Sequence, residues 1–141
     1  MVSGRTGQAA GQTAARASST KERGDAAEDQ ALAFLQARGL RLLRRHFHTP
    51  GRGGGEIDLI MQDADGTLVF VEVRQRRGRS HGGAAATVGA VKQRRLVFAA
   101  RHFLSRLQRL PACRFDVVAI EGEGPQARID WVVGAFTADG W

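Results

Sequence analysis

Cysteine occurs once in this chain, at Cys113, which excludes an internal disulfide framework and a zinc site built from cysteine alone. The thiol sits in an apolar run, where a buried, inert role is expected. Lysine is scarce as well: the basic residues are arginine except for Lys21 and Lys92, a bias that a GC-rich genome also produces. No apolar run approaches the ~20 residues of a membrane span. Residues 1–23 carry no apolar stretch of the kind a secretory signal needs. Arg5, Arg16 and the Ser/Thr content mimic a transit peptide, but the glycines and the missing amphipathic pattern fit a disordered tail better. These absences lead to the expectation of a reducing cytoplasm and no membrane partner. Large apolar residues are also nearly missing from residues 1–23, so this stretch reads as a disordered basic tail that cannot offset its ordering entropy. One domain is expected over residues 24–141.

What the chain does have is an ordinary 43% hydrophobic content and a surplus of cations, 21 Lys+Arg against 14 Asp+Glu, for a net charge of +7. That surplus favours an anionic partner, of which nucleic acid is the commonest. The apolar spacing predicts a helix over residues 24–38, with Ala27, Ala31, Phe34 and Leu35 on one face and Gly39 ending it. Strands are predicted over residues 40–47, 56–61 and 68–74, followed by a Gly- and Arg-rich loop over 75–86. A second helix is predicted from a cap at Thr87 to about Leu110, stopped by Pro111, and then strands over 113–120 and 127–133. Helix, three strands, helix and two strands suggest an α/β sandwich around one mixed sheet.

The middle strands carry the chemistry. They read Glu56-Ile57-Asp58-Leu59-Ile60-Met61 and Leu68-Val69-Phe70-Val71-Glu72-Val73-Arg74, with the turn signal Asp63-Ala64-Asp65-Gly66 between them. Folding the hairpin at Asp65-Gly66 brings Asp58 to within about a residue of Glu72. Two neighbouring carboxylates repel unless a cation intervenes, and a hard divalent metal is the simplest one. The plainer alternatives are a water-facing sheet for Glu56 and Asp58, and an arginine salt bridge for Glu72, which interrupts an otherwise apolar strand.

Helical spacing puts Glu28 on the edge of the buried face, beside Ala31 and Leu35. It is either an N-terminal acid favoured by the helix dipole or a third carboxylate reaching the metal. Arg74 shares a face with Glu72 and can bind a phosphate oxygen or stabilise a charged transition state, but its guanidinium cannot serve as a base. Lys92 falls between Ala99 and Phe103 on the apolar face of the second helix, where it either snorkels to solvent or points into the cleft and orients a water. Arg52, Arg74, Arg76, Arg77, Arg79, Arg94 and Arg95 form a basic rim for a phosphate backbone, without a base-reading motif. His46 and His48 can share one side of a strand, but no further His/Cys set accompanies them to make a zinc site.

Asp58, then Glu72-Val73-Arg74 after a hairpin, with the helical Glu28 before them, resembles the PD-(D/E)XK nuclease pattern. Gly24-Asp25-Ala26-Ala27-Glu28, Gly55-Glu56-Ile57-Asp58-Leu59-Ile60, Val69-Phe70-Val71-Glu72-Val73-Arg74, Lys92-Gln93-Arg94-Arg95-Leu96 and Arg114-Phe115-Asp116-Val117-Val118 together resemble the YraN-like uncharacterised protein family (uncharacterised protein family 0102), from about Gly24 to Ile120. The resemblance implies a restriction-endonuclease-like three-layer sandwich around a central mixed β-sheet. It also implies Mg²⁺ or Mn²⁺ held by Asp58 and Glu72, with Glu28 as an auxiliary acid and Glu56 as its neighbour. The implied partner is nucleic acid, with DNA expected and branched DNA one candidate form of it, and analogy with junction cutters allows a homodimer. Arg74 departs from the pattern, which has lysine there, and the two side chains are not interchangeable. Either Lys92 supplies the missing cation, or the metal alone activates water, or catalysis is weak. The competing expectations are a non-catalytic nucleic-acid-binding or adaptor protein that keeps the fold, and a protein-interaction module.

Overall fold

In the computed structural model the described residues are 19–51, 54–76 and 88–138. The elements are α1 (Ser19–Ala37), β1 (Arg41–His48), β2 (Glu56–Gln62), β3 (Leu68–Arg76), α2 (Ala90–Leu104), β4 (Cys113–Glu121), a short 3₁₀ turn (Gly124–Gln126) and β5 (Arg128–Phe136). The sheet has five strands in the order β1-β2-β3-β4-β5. All neighbours run antiparallel except β3 and β4, which are parallel and therefore need the crossover that carries α2.

Among the described residues, each face of the sheet is covered by one helix. Ala27, Ala31 and Leu35 of α1 pack on Leu59, Met61, Val69, Val71, Val118 and Ile120. Leu96, Ala99, Ala100 and Leu104 of α2 pack on the opposite face, against Phe47, Ile57, Ile60, Phe70, Phe115 and Val117. β3 and β4 are thus buried on both sides, which explains their nearly continuous apolar composition. The result is the restriction-endonuclease-like three-layer α/β sandwich.

α1 ends in a Schellman motif. Gly39 takes φ +96°, the Leu40 N–H donates to the Leu35 carbonyl at 3.1 Å and the Gly39 N–H to that of Gln36 at 3.0 Å. The helix starts at Ser19, inside the stretch read as a tail. Lys21, Glu22 and Arg23 are good helix formers that extend α1 without adding apolar residues. Residues 1–18 lie outside the described residues.

α2 differs more from expectation. It runs from the Gly89 cap to Leu104, well short of Leu110. Beyond Leu104 the chain has little to bury: Leu107 and Leu110 are exposed, and the Ser105 hydroxyl bonds back to the His102 carbonyl at 2.6 Å. Thr87, the expected cap, lies outside the described residues. Where β2 begins, it passes directly under α2, and a side chain on Gly55 would fall on the Arg95 carbonyl. That close approach keeps the N-terminal half of α2 against the strand that carries Asp58.

Candidate active site

The β2–β3 hairpin does what its sequence implies. Its turn closes through the Asp63 N–H to the Thr67 carbonyl at 2.9 Å, with Gly66 at φ +92°. Paired positions run from Gln62↔Leu68 to Leu59↔Val71. One step further the pairing passes to a side chain: Asp58 Oδ2 accepts the Val73 N–H at 2.8 Å. The Asp58 carboxylate therefore lies across the strand beside Glu72, close enough for its charge to act on that acid. Burial, then repulsion from Asp58, push Glu72 up to about 7, and Lys92 pulls in the other direction.

Among the described residues, Glu72 forms an ion pair with a lysine. Lys92 Nζ lies 3.4 Å from Glu72 Oε2, with Lys92 45% exposed and Glu72 9% exposed along their side chains. Lys92 thus runs over the apolar edge of α2 and ends at the acids. Its side chain stays half-exposed while its ammonium meets Glu72, so it reaches solvent and the acid together.

Glu28, buried at the middle of α1, is the third acid. Its carboxyl is raised by burial and then by the charge of Asp58, which sets it electrostatically next to the pair. His46 Nε2 lies 2.8 Å from Glu28 Oε1, and Arg45 NH2 lies 3.3 Å from the same oxygen. Arg45 also pairs with Asp29 at 2.9 Å. Glu28 is therefore more than a helix-dipole acid, because two side chains of β1 grip it.

That grip depends on an irregularity. His46 has φ +52°, the single positive φ outside glycine among the described residues, a conformation uncommon for histidine. β1 pairs with β2 through Phe47↔Ile57 and Arg45↔Leu59, and the position between them is His46 opposite Asp58. Across Asp58 the side-chain alternation slips, since Ile57 joins the α2 core and Leu59 the α1 core. No sequence pattern announces a left-handed histidine, so the contact with Glu28 was missed.

The remaining candidates are less gathered. Arg74 is half-buried two positions beyond Glu72 on β3, and Arg76 ends that strand, exposed. Arg94 and Arg95 are exposed on α2. Glu56 is exposed and lies 3.9 Å from His48, so it does not join the acids through that contact. Arg52, Arg77 and Arg79 lie outside the described residues. Cys113 is half-buried, and burial pushes its thiol up, away from reactivity.

Asp58, Glu72 and Glu28 are hard oxygen donors of the type Mg²⁺ takes. Among the described residues no group of three or more His, Cys, Asp or Glu side chains is close enough to form a metal cage. The donor set fits a cation held by one or two carboxylates that keeps most of its water, and does not fit a zinc site. Among the described residues no helix is long and apolar enough to cross a membrane.

The model of the uncharacterised protein family UPF0102 matches residues 27–120. UPF0102 proteins of Polaromonas naphthalenivorans (strain CJ2) and Paracidovorax citrulli (strain AAC00-1) are 60% and 59% identical to the chain. The first match covers 84% of this chain and 81% of its relative, and the second 89% and 90%. A UPF0102 protein of Methylibium petroleiphilum is 58% identical over 84% of this chain and 97% of that protein. The matched segment contains Glu28, His46, Asp58, Glu72 and Lys92. The chain belongs to the uncharacterised protein family UPF0102, the YraN-like family that its acidic motifs resemble.

Proposed function

We propose that this protein is a metal-dependent DNA endonuclease, with branched DNA among its substrates, acting in the cytoplasm. The observation that carries the reading is the meeting of Asp58, Glu72 and Lys92, with the Lys92 ammonium 3.4 Å from Glu72. The PD-(D/E)XK pattern wants an amine near the second acid, and this chain has Arg74 at the expected position. Here the amine comes from the neighbouring helix instead.

Asp58 and Glu72 would hold the metal, Mg²⁺ or Mn²⁺. When bound, it supplies Lewis-acid stabilisation of the phosphodiester and lowers the pKa of water. Glu28, oriented by His46 and Arg45, faces the same charge and can accept a hydrogen bond from a water near the scissile phosphorus. Lys92 and Arg74 steady phosphate oxygens as negative charge builds up. The net charge of +7 suits the approach of a polyanion.

A second reading has one observation in its favour. The Lys92–Glu72 pair also neutralises a buried acid without any metal, as it would in a non-catalytic nucleic-acid-binding or adaptor protein that keeps the fold. The test incubates the protein with linear, single-stranded and four-way-junction DNA in Mg²⁺, Mn²⁺ or EDTA. Metal-dependent cleavage is expected, lost in Asp58→Ala and Glu72→Ala and reduced about 100-fold in Lys92→Ala. Binding without cleavage under every metal condition would select the second reading, and full turnover in Lys92→Ala would reject the transferred amine.

A further inference from the structure

α2 is buried on one side only. Leu96, Ala99, Ala100 and Leu104 are in the core, whereas Val91 and Phe98 on its outer side are 56% and 50% exposed. Val91, Arg94, Phe98 and Arg101 recur at a spacing that keeps them on a single helical face. Lys92 leaves the helix in a different direction, towards Glu72. Between the outer face and the chain just beyond β5 lies an open groove of about 450 Å³, lined by Gln93, Arg94, Val97, Phe98, Arg101 and Thr137 with two alanines. That volume is within the ~300–1,000 Å³ of ordinary ligand sites. The ring of Phe98 lies 6.4 Å from that of His102, tilted by 37°, which widens the aromatic surface.

The lining is cationic and aromatic, and among the described residues no carboxylate contributes to it. A second copy docked face to face would set arginine against arginine. A duplex would offer phosphates but keep its base faces stacked out of reach. A basic groove with an exposed ring is the combination that single-stranded nucleic acid uses, the strand tracking the cations and a base stacking on the aromatic side chain. We propose that this groove binds an unpaired stretch of DNA, with Phe98 stacking a base and Arg94 and Arg101 contacting phosphates. The inference rests on the nucleic-acid reading of the acid cluster and adds the strand form that the protein holds outside it.

The test measures anisotropy of labelled oligothymidine and of a duplex of equal length, with the full chain in EDTA so that cleavage does not intervene. Phe98→Ala is expected to weaken oligothymidine binding about tenfold and duplex binding less than about twofold, with Phe98→Trp restoring it. Arg94→Gln is expected to weaken both and to reduce the salt slope by about one. The exposure of Phe98 lets these variants fold, and circular dichroism checks that they do. Unchanged oligothymidine affinity in both Phe98→Ala and Arg94→Gln overturns the groove while leaving the acid cluster to its own cleavage assay. A dimer that dissociates in Phe98→Ala with DNA affinity retained assigns the face to a second copy and also overturns it. Absence of DNA binding by every form overturns the groove and the nucleic-acid reading together.

Discussion

Glu72→Gln is expected to melt several degrees above the wild-type chain at about pH 8 without divalent metal, and to melt alongside it at about pH 5. The reason is that burial and Asp58 hold the Glu72 carboxyl up at about 7, above its ordinary 4.5. In the unfolded chain that carboxyl returns to its ordinary value. A raised carboxyl stabilises the fold fully below the unfolded pKa, and this contribution is lost as pH rises through the folded pKa. The metal-free protein therefore weakens between about 4.5 and about 7. The size is on the order of 3 kcal/mol, at about 1.4 kcal/mol for each tenfold change in the proton equilibrium. Glutamine is neutral throughout and removes this loss. In the same variant, cleavage is expected to fall at least about 100-fold, because the amide is a poor ligand for a hard cation. Stability gained and activity lost by one substitution is the signature of a strained functional acid. Thermal melts across pH, paired with cleavage rates, check both halves. An unchanged melting temperature at about pH 8 would remove the buried-charge argument.

Asp116→Ala is expected to be strongly destabilising, by about 3–5 kcal/mol in urea denaturation. The Asp116 side chain is fully buried on β4 and accepts from Arg114 Nε at 3.1 and 3.2 Å, Trp131 Nε1 at 2.9 Å and the Gly134 N–H at 2.9 Å. It sits where the β4–β5 register shifts, between Phe115 and Val117, so its oxygens supply bonds that the ladder does not. Alanine leaves buried donors without acceptors. Asp116→Asn recovers only part of the loss, because its NH₂ turns a donor towards other donors. A cost below about 1 kcal/mol would mean that water replaces the carboxylate and that β5 is not anchored there.

The contrast between Glu72 and Asp116 shows what the sequence made legible. Both acids interrupt apolar strands, and the argument that a central acid needs a partner applies equally to each. Nuclease-like spacing is present at Glu72 and absent at Asp116. Asp116 proves to hold the β4–β5 pair together, and an acid between Phe115 and Val117 was signal enough to ask about it. The hairpin and the inward edge of α1 at Glu28 follow from local periodicity, which a short window contains; it places Lys92 on the apolar side of α2 without deciding where the ammonium ends. The grip of His46 on Glu28 does not, because it needs a left-handed residue at the point where β1 and β2 kink together. The early end of α2 at Leu104 was hidden for another reason. Residues 105–110 have adequate helix propensity, and only the absence of anything to pack against stops the helix there.

The account rests on Asp58 and Glu72 being a cation site, and calorimetric titration with Mn²⁺ at about pH 8 tests this without requiring turnover or a known DNA substrate. The expected result is saturable binding of Mn²⁺ by the wild-type chain, and loss of that binding in Asp58→Ala. Wild-type protein that takes up no Mn²⁺, or Asp58→Ala that binds it as tightly as wild type, would contradict the account.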